Sequence, residues 1–266
     1  MSRIVEVPAL SRNALVSLFA RHIRDRAFID CVLESRFGTA RADDLVAPTV
    51  ARLDCGPFTA FAGDAEAPAA SHLIGCAPID WVTPETDAWR SALERAFVGR
   101  IRPIPFVTFS SASLDTRILD GFTRSVPGGY ALRRLDAELA RRLIAQMKKD
   151  WLIESFASLD DFLRRGIGYV ALHDGRIAAG ASSAVRSSRA IDIDIETSTA
   201  HRRKGLGTAV GAALALECLV RGIDPLWLAS NDTSCRLATK LGYTRGDTYE
   251  TFEISPEVSG GGDSDP

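Results

Sequence analysis

Ala190-Ile191-Asp192-Ile193-Asp194-Ile195-Glu196-Thr197, followed after a four-residue spacer by Arg202-Arg203-Lys204-Gly205-Leu206-Gly207-Thr208, is the stretch on which the fold turns. Isoleucine and acid alternate strictly in the first segment, the period of a strand with one face against a core. An Ala-rich apolar run follows the second segment, predicting a long helix over Gly205–Arg221. The N-terminus of a helix leaves several backbone N–H groups unpaired and adds the positive end of its dipole, so an anion is favoured there. Gly205 and Gly207 let a diphosphate approach without Cβ obstruction, while Arg203 and Lys204 supply charge. Because Lys204 precedes the glycines, the turn is neither a Walker loop nor a Gly-x-Gly-x-x-Gly fingerprint. A solvated basic turn is the plain alternative.

The pattern is regular on either side of this stretch. Tyr130–Leu135 reads as a strand and Asp136–Lys149 as an amphipathic helix, and Ser158 caps another helix with Asp160 and Asp161 in its first turn. Asp174-Gly175 between two apolar runs, Ile167–His173 and Arg176–Val185, is a strong hairpin signal. A short strand at Leu226–Ala229, a helix over Asp232–Leu241 and a strand over Tyr243–Ile254 complete this half. Residues 255–266 hold three successive glycines and are predicted to be disordered.

The first half is harder to read. Leu10, Leu15, Leu18, Phe19 and Ile23 recur at helical spacing, as do Trp89, Leu93 and Phe97. Extended pieces are expected at Thr49–Leu53, Pro57–Ala62 and Ile104–Phe109, with Gly63–Ala70 as an exposed loop. The sequence therefore predicts three regions: an α+β domain over 1–127, a second domain over 128–254 and a tail over 255–266.

Composition excludes several classes. Lys plus Arg is 32 against 34 Asp plus Glu, a balance that lacks the basic excess of a nucleic-acid binder. The most apolar stretch, Ala209–Val220, is broken by Glu217 and is too short to span a bilayer, so a cytoplasmic chain is expected. Five scattered cysteines without a CxxC pair point to reduced, buried thiols and no metal site.

Arg202, Gly205 and Gly207 resemble the Arg/Gln-x-x-Gly-x-Gly/Ala signature of the GNAT superfamily of acyl-CoA-dependent N-acetyltransferases. Asn231 through Tyr243, ending Lys-Leu-Gly-Tyr, is similar to a second segment of that superfamily. The long leading region, Glu217-Cys218 and Pro225-x-Trp227 resemble a bacterial subgroup with an extra N-terminal domain. The resemblance implies an α/β fold with a mixed, splayed, twisted sheet flanked by helices. It also implies acetyl-CoA as co-substrate and the primary amine of a small molecule or peptide as acceptor, and it leaves oligomerisation open.

Under that resemblance, the backbone of Ile195, Glu196 and Thr197 pairs with the pantetheine arm. The turn from Arg202 through Arg203, Lys204, Gly205, Leu206, Gly207 and Thr208 holds the pyrophosphate, and Asn231 contacts the coenzyme beyond the next strand. Many superfamily members place a proton-donating Tyr where this chain has Ala238. That departure raises a second reading, a catalytically weak acyl-CoA-binding regulatory module. For the base, Asp192, Asp194 and Glu196 share one strand face, where crowded carboxylates raise a pKa or bind a cationic amine; a solvated strand face is the alternative. His201 is expected at the surface, Trp227 and Cys218 in the core, and Tyr243 and Tyr249 packed in the sheet, with substitution for the missing proton donor as the alternative for the two tyrosines.

Overall fold

The computed structural model of the protein describes residues 4–147 and 155–256. Two successive runs of six strands build one twelve-stranded sheet among these residues. The first run is β1 (Val5–Glu6), β2 (Thr39–Ala42), β3 (Val50–Cys55), β4 (Phe58–Gly63), β5 (Trp81–Val82) and β6 (Ile101–Ser110), with helices α1 (Arg26–Leu33), α2 (Ala70–Gly75), α3 (Asp87–Ala96) and α4 (Thr116–Arg124). The second is β7 (Tyr130–Arg134), β8 (Gly168–His173), β9 (Arg176–Arg186), β10 (Ala190–Thr197), β11 (Asp224–Ala229) and β12 (Thr244–Ile254), with α5 (Ala137–Met147), α6 (Leu159–Arg165), α7 (Leu206–Val220) and α8 (Asp232–Leu241). The fold is thus α/β, with a mixed, mostly antiparallel sheet flanked by helices.

The two runs repeat one topology. In each, the first four strands pair antiparallel in sequence, the fourth meets the fifth in parallel, and a helix leads to the sixth. The sixth strands are exchanged: β6 pairs with β11 and β12 with β5, and β6 and β12 pair with each other at the centre. The sheet order is therefore β1-β2-β3-β4-β5-β12-β6-β11-β10-β9-β8-β7, continuous across residue 127.

In the second half the elements fall where the sequence predicts them. Asp174 and Gly175 both take left-handed backbone, φ 48° and 73°, as the tight hairpin between β8 and β9 requires. Ser158 Oγ accepts from Asp161 N at 3.1 Å and caps α6. Of the helix expected over Asp136–Lys149, residues 137–147 form α5 and Asp136 accepts from Leu139 N at its start; residues 148–149, and residues 257–266 of the expected disordered tail, lie outside the described residues.

The first half departs from expectation. Leu10 through Ile23 does not form an α-helix; two 3-10 segments, Ala9–Leu15 and Leu18–Arg21, carry it, and Leu10 and Ile23 are 99% and 75% exposed. Apolar spacing alone misled because those two side chains never join the core. The segment Gly63–Ala70 buries Ala65, Ala69 and Ala70 beneath α3, so it is not a wholly exposed loop. α1, α2 and α4 had no distinct periodicity to announce them.

Two layers cover the part of the sheet that matters for function. Ile191, Ile193 and Ile195 pack against Leu206, Val210 and Leu214 of α7 or the neighbouring core around Trp227. Ala190 packs on the other face with Val185, Phe28 and Ile29, so α1 of the first half lies over β9 and β10 of the second. Asp192, two residues on, shares that face.

Arg52 of β3 is fully buried. Its guanidinium donates to the carbonyls of Leu73 in α2 and of Ala77 and Pro78 after it, at 3.0, 3.0 and 2.7 Å, and to Asp54 at 2.7 Å. Arg52→Leu would strand these acceptors, and losing one partner of a buried charged network costs about 3–5 kcal/mol. Urea unfolding should register a loss of that size; a loss under about 1 kcal/mol would contradict the role assigned to Arg52.

Candidate active site

β10 and β11 run in parallel for three residue pairs only, Ala190↔Asp224, Ile191↔Pro225 and Asp192↔Leu226. Beyond Asp192 they part, and β11 gives its remaining residues to β6. A bulge in β9 sits beside the same point: Asp192 faces Val185 but Ile193 faces Ser183, leaving Ala184 as the extra residue. The parted strands leave a cleft of about 1040 Å³. Residues 193–197 form one wall, and Trp227, Leu228 and the start of α8 form the other.

The turn from Arg202 to Thr208 closes one end of this cleft. Arg203 and Gly205 take positive φ, 61° and 80°, and a Cβ on Gly205 would meet nothing within 4 Å. The first helical bond of α7 runs from Ala209 N to Gly205 O at 3.1 Å, so the amides of Leu206, Gly207 and Thr208 have no intrahelical acceptor. No acid occupies the first turn of α7. A Cβ on Gly207 would lie 3.5 Å from Thr197 Oγ1 and 3.6 Å from Leu237, both on the cleft wall. Backbone donors, glycines and the helix dipole together fit a diphosphate group.

Side chains of the turn diverge. Arg202 donates to Thr197 O at 3.2 Å and, like Arg203, lines the cleft. Lys204 turns away, its Nζ 3.0 Å from Tyr130 Oη, which also meets His201 Nδ1 at 2.8 Å. Asn231 caps α8 by accepting from Ser234 N at 2.9 Å, and Trp227 Nε1 donates to Ser234 Oγ at 3.0 Å. Ala238 is fully buried against the core beneath α8. Cys218 is buried as well, its thiol pushed up to about 12 by burial.

A second cavity, about 610 Å³, opens on the α1 side of the sheet. It shares Ile193, Asp194, Leu228 and Ser230 with the cleft, so the two spaces meet where β10 and β11 part. Asp192 lines this cavity, with Oδ1 sealed from solvent and no hydrogen-bond partner among the described residues. Its carboxyl is pushed up to about 7 by burial, and then by the charge of Asp25. Strand neighbours are not the cause.

The three acids of β10 are therefore divided. Asp192 and Asp194 line the second cavity, whereas Glu196, about 13 Å further along the strand than Asp192, lines the cleft and a surface hollow beside His173 and His201. Ile195, Glu196 and Thr197 all border the cleft, as does Asn231. No local pattern marks Asp25, Thr83, Trp81 and Phe106, which reach the second cavity from the first half; the sheet alone brings them there. Tyr249, expected to pack in the sheet, does pack in β12 and also lines the cavity, with its hydroxyl beside the Asp25 carboxyl. Among the described residues no group of His, Cys, Asp and Glu side chains could hold a metal ion, and no helix is long and apolar enough to cross a membrane.

Comparison with known proteins agrees with this fold. A GCN5-related N-acetyltransferase-like protein from Streptococcus suis 89/1591 superposes with a TM-score of 0.82 at 27% identity, covering 92% of this chain and 99% of that one. A tandem GNAT protein from the clavulanic acid biosynthesis pathway shares the fold, with a TM-score of 0.60 at 16% identity over 96% of this chain and 99% of its own. The Bacillus subtilis (strain 168) protein YdfB, an uncharacterized N-acetyltransferase, is 26% identical over 169 residues, 63% of the length of each. Residues 16–252 match the GNAT acetyltransferase family, and the chain belongs to that family.

Proposed function

We propose that the protein is an acyltransferase that moves an acetyl group from acetyl-CoA to the primary amine of a small molecule or peptide, by direct transfer in a ternary complex. The observation that carries this is the junction of two spaces at Asp194 and Ser230, with a buried carboxyl, Asp192, at the same point. GNAT family proteins use acetyl-CoA. Its pyrophosphate fits the amides of Leu206 to Thr208, and its pantetheine arm fits the open strand edge at Ile195 to Thr197. Arg202, Arg203 and Asn231 complete that side. The halves then divide the labour: residues 128–254 hold the donor, and residues 1–127 close the acceptor cavity.

Asp192 accepts a proton from the acceptor ammonium, and the freed lone pair attacks the thioester carbonyl carbon. The new C–N bond forms as the C–S bond breaks. The second nitrogen proton, lost as the amide forms, neutralises the departing thiolate through solvent, and Asp192 returns its own proton to water. With Ala238 in the usual donor position, no tyrosine is asked to do this. Asp194 stands beside Asp192 as a ligand for the cationic amine, and Glu196 contributes chiefly backbone.

Ala238 also motivates the second reading, a regulatory module that holds acyl-CoA without turnover. Mass spectrometry of a panel of amines and peptides incubated with acetyl-CoA separates the two, since only the enzyme yields products 42 Da heavier, about the mass of an added acetyl less a hydrogen.

Two measurements test the residue roles. Gly207→Glu puts a side chain and a negative charge on the cleft wall, so coenzyme A affinity in calorimetry should fall at least about tenfold. Unchanged affinity in a folded variant would remove the pyrophosphate from this turn. Asp192 must be ionised to act as base, so kcat/KM should be low in acid and rise to a plateau as pH passes through about 7. Asp192→Asn should flatten that limb and lower turnover by about 10- to 100-fold, with coenzyme A affinity unchanged. A variant retaining full activity and the same profile would exclude Asp192 as the base.

A further inference from the structure

Asp25 occupies an unusual position. It immediately precedes α1, where aspartate normally accepts a hydrogen bond from the first helical amides, yet its side chain makes no capping bond. Its backbone lies in the left-handed region, φ 56° and ψ 22°, which aspartate adopts more readily than most residues. Its carboxyl, raised by burial, turns from the helix amides to the hydroxyls of Thr83 and Tyr249 and so into a different environment. That environment is the cavity containing Asp192.

The cavity walls are largely aromatic. Phe28 stacks on Phe58 with centroids 5.8 Å apart, and Phe106 meets Trp81 edge-on at 6.4 Å and Tyr249 at 6.0 Å. Its polar groups include the Asp25 and Asp192 carboxyls, Asp194 at the junction, a Thr83–Thr251 hydroxyl pair at 2.9 Å, and Tyr249 Oη. Tyr249 is only 6% exposed and its hydroxyl faces the Asp25 carboxyl, whereas Asp192 Oδ1 lacks a hydrogen-bond partner among the described residues. A buried polar atom with no partner in the protein is matched by a polar atom of a ligand.

The surrounding charge is one-sided. Arg24 is the guanidinium that faces this cluster, and it lies over the Tyr249 ring, 5.0 Å from the centroid, outside the cavity lining. His22, 3.5 Å from Glu85, has its pKa lowered to about 4 by burial and carries no charge at neutral pH. Glu85 adds acid behind Asp25, its own carboxyl raised by burial. A cation is therefore welcome in the cavity, and a second anion is repelled.

We infer that Asp25 is a positioning and specificity residue for the acceptor, binding its ammonium opposite Asp192, and that the acceptor is a primary amine on a flat aromatic body with no carboxylate beside the amine. The identity of the acceptor deepens the acetyl-transfer reading and rests on it only for what becomes of the amine. Asp25 holds the ammonium by a charge-assisted hydrogen bond, Asp192 takes its proton, and the aromatic pairs sandwich the rest. A volume near 610 Å³ suits a molecule of this size.

Binding tests this independently of turnover. Calorimetry on the full chain saturated with coenzyme A should show tyramine binding at least about tenfold more tightly than tyrosine, which differs only by the α-carboxylate. Asp25→Asn keeps the shape, and asparagine accepts left-handed backbone, so the variant should fold. It should weaken tyramine at least about tenfold and leave tyrosol, the same body with a hydroxyl for the ammonium, within about twofold. A purely structural role would weaken both alike. The inference is overturned if tyramine does not bind, if tyrosine binds as tightly, or if Asp25→Asn leaves tyramine unchanged or loses tyrosol equally. Tyramine bound as expected but never acetylated would sink the enzymatic reading and leave the binding assignment standing.

Discussion

After Asp192 the parallel strands β10 and β11 stop sharing hydrogen bonds, and the rest of the site depends on that interruption. A continuous ladder would satisfy the backbone of residues 193–197 on both edges and leave no room between β10 and Trp227. Parting the strands exposes polar backbone, which is costly unless something else pairs with it. The protein meets part of this cost by giving the remainder of β11 to β6, so only the β10 side stays open. The bulge at Ala184 increases local twist on the opposite edge. Together they fix Asp192 at the apex, where the second cavity meets the cleft.

The first half repeats the same parting on a smaller scale. β4 and β5 share two residue pairs, and Trp89 narrows the gap beyond them to a cavity of about 350 Å³, stacking on Phe61 at 4.8 Å and donating to Gly63 O at 3.1 Å. α2 is only six residues long, and the segment before it carries Asp64 and Glu66 where the second half carries arginines. A narrowed gap and an acidic segment suit packing rather than a phosphate. One copy of the topology thus has the larger open cleft, and the other supplies a wall of the second cavity.

How much of this was legible depends on whether a signal is local. Strict alternation from Ala190 to Thr197, the Asp174-Gly175 reversal and the glycines of the α7 turn are each written within a few residues, and each falls where expected. The same alternation could not say that Asp192, Asp194 and Glu196 would face different spaces, since that follows from the splay and not from the strand. Asp25, Trp81 and Phe106 had no local mark at all, because they reach Asp192 only through the order of strands in the sheet. Arg52 is the reverse case, an ordinary strand arginine in sequence and a fully buried organiser of carbonyls in the fold. In the first half, alanines and 3-10 turns blur the periods on which such reading relies.

The exchange of β6 and β12 bears on how the chain folds. β12 is the most C-terminal strand described, yet it fills the place between β5 and β6, and its Thr251 meets Thr83 across 168 residues of sequence. Contacts so distant along the chain carry a large loop-closure entropy and slow folding. During synthesis β5 and β6 emerge early and must wait, edges unpaired, until the last strand arrives. The aromatic cavity is consequently the final part of the molecule to be assembled, and a chain interrupted before β12 has an unfinished sheet in both halves.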